Sequence, residues 1–164
     1  MEQINAYHEA GHAVIAYRFG YRLQSINILP DKKRNGICYI YGKPGDGDPE
    51  QEILILAAGD AAQKVYDPND ESEPSITDYR KIWSITDKAT LPPGSYNRLL
   101  QEAKDLVIEN WEPIESLAEA LLEIKELEGL MHSFIIDCVD SGQNWRETED
   151  WKAISEYYHA TKEL

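Results

Sequence analysis

The stretch Glu2-Gln-Ile-Asn-Ala-Tyr-His-Glu-Ala-Gly-His-Ala-Val-Ile-Ala-Tyr-Arg-Phe19 carries the decisive reading of this chain. Ile4, Tyr7, Gly11, Val14 and Ile15 recur at three- and four-residue steps, which predicts an amphipathic helix ending near Gly20. On that helix His8, Glu9 and His12 spell H-E-x-x-H. Imidazoles four residues apart project from one face within reach of a single ion, and the glutamate beside the first can hold a water at that ion. The plainer alternative is a helix with two partly exposed histidines and a surface glutamate. Gly11 weakens a helix by about 1 kcal/mol relative to alanine. Its place near Ala10 and Ala13 predicts that another element packs close to the backbone there.

Around this helix the composition narrows the function classes. The 164 residues suit one core, so the expectation is a single domain over 1–164. With 42% hydrophobic and 28% charged residues, the chain reads as a soluble globular protein. Acids outnumber bases 30 to 16, a formal charge of -14 that offers no footprint for phosphate backbones or anionic lipid. Nucleic acid and membrane are therefore not expected partners. The longest uncharged apolar runs, such as Ile53 to Gly59, fall far short of the ~20 residues that span a bilayer. Met1 to Ala10 has no signal-like apolar core, so a cytoplasmic location is expected. Cys38 and Cys138 form no CxxC spacing and read as free thiols.

Further along, Leu23 to Leu29 and Ile37 to Tyr41 read as two strands of a hairpin around a basic turn, Asp31 to Gly36. Pro49 to Tyr66 reads as a buried helix, Ser75 to Asp87 as a third and Ser95 to Trp111 as a fourth. Pro113 is expected at the first position of a helix carrying Ile114, Leu117, Leu121 and Ile124. A short apolar segment, Leu130 to Val139, and a terminal helix, Thr148 to Ala160, complete a helical carboxy-terminal half, whose aromatics read as core or dimer contacts. Pro and Gly clusters at Lys43 to Pro49, Asp67 to Pro74 and Leu91 to Gly94 mark loops. The acidic loops Asp46 to Glu52 and Asp67 to Glu73 lack the glycine of a calcium loop and read as solvated. The expected fold class is α+β, mainly helical, with a small β-sheet beside the first helix.

A catalytic zinc site takes three protein ligands as a rule, and the third comes from another element. Ala6-Tyr-His-Glu-Ala-Gly-His-Ala-Val-Ile-Ala16 resembles the peptidase domain of the FtsH family of zinc metalloproteases, normally fused to an ATPase ring. Ser25-Ile-Asn-Ile-Leu-Pro30 looks like that family's first strand pair, and Ala57-Ala-Gly-Asp-Ala-Ala62 like its Gly-Gly-Arg-Ala-Ala helix, with Asp60 in place of the arginine. Ile76-Thr-Asp-Tyr-Arg80 is similar to the segment that supplies its aspartate ligand, and Glu102 to Gly129 looks like its closing helices. The resemblance covers about residues 5 to 135 and leaves 140–164 as a helical extension. It implies a zincin-like fold with His8, His12 and Asp78 as ligands of Zn2+ and Glu9 as general base. Asp78 has a plainer reading as part of a capping-box-like start after Ser75. Asp60, Asp87, His132 and Cys38 are the fallback ligands.

The function so implied is a zinc-dependent metallopeptidase that hydrolyses peptide bonds with a zinc-activated water. The candidate substrate-binding strand is Gly36, Ile37, Cys38, Tyr39, Ile40 and Tyr41, along whose edge a peptide could pair. No G-x-x-x-x-G-K-[ST] loop occurs in the chain. The expected substrates are therefore peptides or unfolded protein, with a separate ATPase or self-association as the means of delivery. The competing class is a non-catalytic metal-binding or interaction module derived from such a peptidase. A deformylase-type reading asks for a Gly-Cys motif before the histidines, which the residues preceding His8 do not supply.

Overall fold

The computed structural model describes residues 2–29, 36–41 and 47–162. It is an α+β fold, mainly helical, with a small antiparallel sheet. The expected hairpin turn at 31–35 and the loop at 43–46 lie outside the described residues.

Helix α1 (Glu2–Arg18) is the axis of the fold. The sequence predicts one apolar stripe, but from Ala6 to Ala16 every residue except His8 is buried. The reason is its position between three neighbours: α2 (Pro49–Tyr66), α5 (Trp111–Ile124) and the sheet all pack on it. A helix covered on all sides needs no polar face. Strand β1 (Arg22–Asn27) pairs antiparallel with β2 (Ile37–Tyr41) on one side and with β3 (Glu126–Glu128) on the other. The order β2-β1-β3 leaves β2 at an edge. An irregularity between Leu23 and Ser25 breaks the register, so Leu23, Ser25 and Ile26 are all buried despite their spacing.

Strand β3 departs from the sequence reading, which takes Leu127 to Gly129 as helical. Lys125 adopts a left-handed backbone, φ 58°, ends α5 and turns the chain against β1. Pro113 sits at the third rather than the first position of α5. It is tolerated there because the first four N–H groups of a helix have no intrahelical partner. Helix α2 is capped by Asp48, whose carboxylate accepts the Glu50 N–H, and begins at Pro49.

Two buried clusters hold these elements. One gathers α1, the sheet, α5, α6 (Met131–Asp140) and α7 (Glu149–Lys162) around Ile15, Ile26, Leu117 and Ile135. The other joins Ile53, Leu54 and Ala57 of α2 to Ile82 of α3 (Ile76–Ala89) and Leu99 and Ala103 of α4 (Ser95–Glu109). Trp145, in a 3-10 turn, and Trp151 of α7 are buried edge to face, so of the two readings, core or dimer contact, these two aromatics take the first, whereas Tyr157 stands exposed. Among the described residues no helix is long and apolar enough to cross a membrane.

Candidate metal centre

The α1–α2 crossing is close because both sides are small. A Cβ added at Gly11 would lie 2.5 Å from the Ala58 carbonyl oxygen and 2.7 Å from the Ala62 Cβ, which is the close packing that Gly11 predicts. One residue beyond Ala58, a Cβ at Gly59 would lie 2.5 Å from His12 Nε2 and 2.9 Å from His8 Cε1. Gly59 therefore makes the cradle in which both imidazoles sit.

The third member comes from α3. Ser75 caps that helix, its Oγ accepting the Asp78 N–H at 3.4 Å. The cap and ligand readings of this segment are thus compatible, because the backbone of Asp78 is capped while its carboxylate turns to the histidines. Asp78 Oδ2 lies 3.4 Å from His8 Nε2 and 3.5 Å from His12 Nε2, and the two Nε2 atoms are 3.1 Å apart. Donors of a tetrahedral ion with bonds of ~2.0–2.1 Å stand about 3.3 Å from one another. These three side chains could hold a metal ion.

Each ligand atom is set by a group behind it. The His12 Nδ1–H donates to the Ile55 carbonyl at 2.8 Å, which fixes the tautomer that turns an Nε2 lone pair toward the ion position. His8 Nδ1 faces Asp60 Oδ1 at 3.3 Å, and Lys81 Nζ stands 3.5 Å from Asp78 Oδ1. Burial works to raise the Asp78 carboxyl, but hydrogen bonds from His12 and His8 outweigh it and hold the group well below the usual carboxylate range. Burial works to lower His12, yet the hydrogen bond and charge of Asp78, with Glu9, bring it up to about 9. A cation at that Nε2 would compete with a proton for it.

Glu9 is buried between α1 and β2, 8% exposed. Burial raises its carboxyl above the ordinary value, against the pull of His12 and His8 and a hydrogen bond from the Cys38 backbone N–H. A Cβ at Gly36 would lie 2.9 Å from Glu9 Oε1, so a side chain there would crowd the carboxylate. The centre opens into a cleft of about 620 Å³. Gly36, Ile37, Cys38 and Ile40 line it, whereas Tyr39 and Tyr41 stand exposed outside its lining. The candidate substrate strand thus divides: four residues reach the cleft and two do not. Opposite, Gln63 donates to Asp70 and Ser72 and braces the acidic loop, and the hydrogen bond from the Ser72 hydroxyl, then that from Gln63, hold Asp70 down at about 2.

The fallback ligands are placed elsewhere. Asp60 meets the far nitrogen of His8, Cys38 offers Glu9 its backbone, His132 is buried on α6, and Asp87 is exposed more than two turns beyond Asp78. Burial, then Glu9, push the Cys38 thiol well above its ordinary value, which disfavours the thiolate a metal needs. Ile55, Gly59 and Lys81 are the contributors that sequence reasoning does not single out. Gly59 carried a signal, a glycine inside a buried helix, but a backbone carbonyl such as that of Ile55 carries none. No protein-family model matches the chain, and no curated protein matches it in sequence.

Proposed function

We propose that the chain is a zinc-dependent metallopeptidase with an FtsH-type, zincin-like site. The observation that carries this reading is a buried carboxylate, Glu9, one residue from His8 on the helix that also carries His12, at the wall of an open cleft. When bound, the metal lowers the pKa of a water toward ~7 and polarises a substrate carbonyl. His8, His12 and Asp78 are its three protein ligands, an N/O set that suits zinc. Glu9 Oε takes a proton from the attacking water and returns it to the leaving amine nitrogen as the peptide C–N bond breaks. The raised pKa of the Glu9 carboxyl suits a group that must first accept and then release that proton. Strand β2 lies at the sheet edge beside Glu9 and offers backbone groups to an extended peptide or unfolded chain. Delivery by a separate ATPase or by self-association belongs to the same proposal.

The deciding experiment measures zinc and iron in the purified protein, then hydrolysis of an unstructured fluorogenic peptide by the zinc-loaded chain and by Glu9→Gln. The expected result is about one zinc per chain in both proteins and hydrolysis reduced at least ~100-fold in the variant. Full activity of Glu9→Gln would overturn the mechanism. Iron as the resident metal would move the site to the 2-His-1-carboxylate oxygenases. Zinc bound without any hydrolysis by the wild-type chain would favour the non-catalytic metal-binding module.

A further inference from the structure

We infer that Asp60 is a positioning residue for two of the three metal ligands, His8 and Asp78, and not a ligand itself. The inference rests on the metal reading of the site and is independent of the peptidase reading. One oxygen, Asp60 Oδ1, is 3.3 Å from His8 Nδ1 and accepts the Ser75 backbone N–H at 3.2 Å. Ser75 in turn holds the Asp78 N–H through its Oγ. A single carboxylate on α2 therefore ties the ring of α1 that points at the ion position to the first turn of α3, which supplies the carboxylate ligand.

Several features favour this role over ligation. Asp60 meets His8 at Nδ1, the nitrogen turned away from His12 and Asp78, so it lies behind the ring and not in the ligand group. His8 Nδ1 is buried without a hydrogen-bond partner among the described residues, and the carboxylate that faces it, Asp60 Oδ1 at 3.3 Å, is the group placed to become the acceptor a buried imidazole N–H requires. A proton held there leaves Nε2 as the lone-pair donor. His12 obtains the same orientation from the neutral Ile55 carbonyl. The two imidazoles, four residues apart on one helix, are thus backed unequally, one by a dipole and one by a charge.

The test uses the full chain, with Zn2+ titrated against a competing chelator and the imidazole nitrogens of the metal-free protein observed by 15N NMR. Asp60→Ala is expected to weaken Zn2+ binding about 10- to 100-fold and to give His8 a mixture of tautomers. Asp60→Asn, which keeps an oxygen for the Ser75 and His8 N–H groups, is expected to recover part of the affinity and the Nδ1–H tautomer. A merely structural Asp60 would leave the His8 tautomer unmoved. Wild-type affinity and tautomer in Asp60→Ala, beside lost affinity in His8→Ala, would overturn this inference alone. A wild-type chain that binds no Zn2+ would overturn it together with the metal reading. If Asp60→Ala fails to fold, Asp60→Leu, which fills the space without an acceptor, takes its place: weaker Zn2+ binding with mixed His8 tautomers supports positioning, and wild-type affinity and tautomer overturn it.

Discussion

The α1–α2 crossing and the layer made by α5, α6 and α7 are both buried, but they are built from side chains of opposite size. At the crossing Gly11, Ala58, Gly59 and Ala62 let two backbones approach until a methyl group would clash. In the other layer Leu117, Leu121, Ile135, Ile136, Trp145 and Trp151 fill the space with large groups. Small residues spend little apolar area but fix relative position to tenths of an ångström, and large ones bury area while tolerating some shift. The site residues sit on the first kind of contact: α2 brings Ile55 and Asp60 up behind the two histidines of α1. The aromatic layer bears on the centre through α1 and α5, against which it packs.

If that division is right, damage to the aromatic layer costs stability without costing the site. Trp151 packs edge to face on Trp145 with centroids 4.5 Å apart, and Arg146 lies 4.1 Å above the Trp145 ring while pairing with Glu119 and Glu123 of α5. Trp151→Ala should lose about 3–5 kcal/mol. By calorimetry that is a fall in melting temperature of roughly 10 °C for a chain of this length. Zn2+ affinity in the folded variant should equal that of the wild type. An affinity loss comparable to that of Asp60→Ala would show that the two regions are not separable.

The converse experiment is Gly11→Ala. Alanine gains about 1 kcal/mol of helix propensity over glycine. Its Cβ, however, would meet the Ala58 carbonyl oxygen, a backbone atom that can yield only if α2 moves. Overpacking of this kind costs about 1–3 kcal/mol, sometimes more, and against the propensity gain the net expectation is a loss of up to about 2 kcal/mol. Because α2 carries Ile55, Gly59 and Asp60, the same shift should weaken Zn2+ binding several-fold. A more stable Gly11→Ala protein with unchanged affinity would mean that the crossing has slack and does not set the site.

The contrast also explains what could be read from the sequence. The helices α1 and α2, and the close approach of some element at Gly11, were legible because HExxH, the Gly11 anomaly and the apolar run of Ile53 to Gly59 are local signals, whereas that α2 is the element at Gly11 was not. The His8, His12, Asp78 grouping was legible only through the resemblance, since nothing in residue spacing links α1 to the capped start of α3 sixty-six residues after His12. Strand β3 was missed because three residues with alternating Glu, Leu, Glu carry no β signal and exist as a strand only by pairing with β1. Asp60 reads from the sequence only as a fallback ligand for a similar reason. A carboxylate at the correct level of a helix is visible in sequence, but which nitrogen of a distant histidine it meets is decided by helix rotation about the glycines.

The smallest effect we predict concerns His132, which belongs to the large-residue side of the molecule. It is 4% exposed on α6, its Nδ1 has no hydrogen-bond partner among the described residues, and burial alone lowers its pKa from 6.5 to about 4. A histidine held neutral in the folded state stabilises it fully above pH 6.5. Between 6.5 and about 4 the unfolded chain binds a proton that the folded chain does not, so stability falls as pH is lowered through that window and levels off below it. Urea unfolding of the metal-free protein at pH 7.0, 6.0, 5.0 and 4.5 should show this slope superimposed on that of the acidic centre. His132→Gln, which cannot titrate, should flatten it relative to wild type, whatever its stability at neutral pH. Equal slopes in the two proteins would mean that the folded chain accepts the proton at His132, and that the layer around α6 is open enough to water to solvate it.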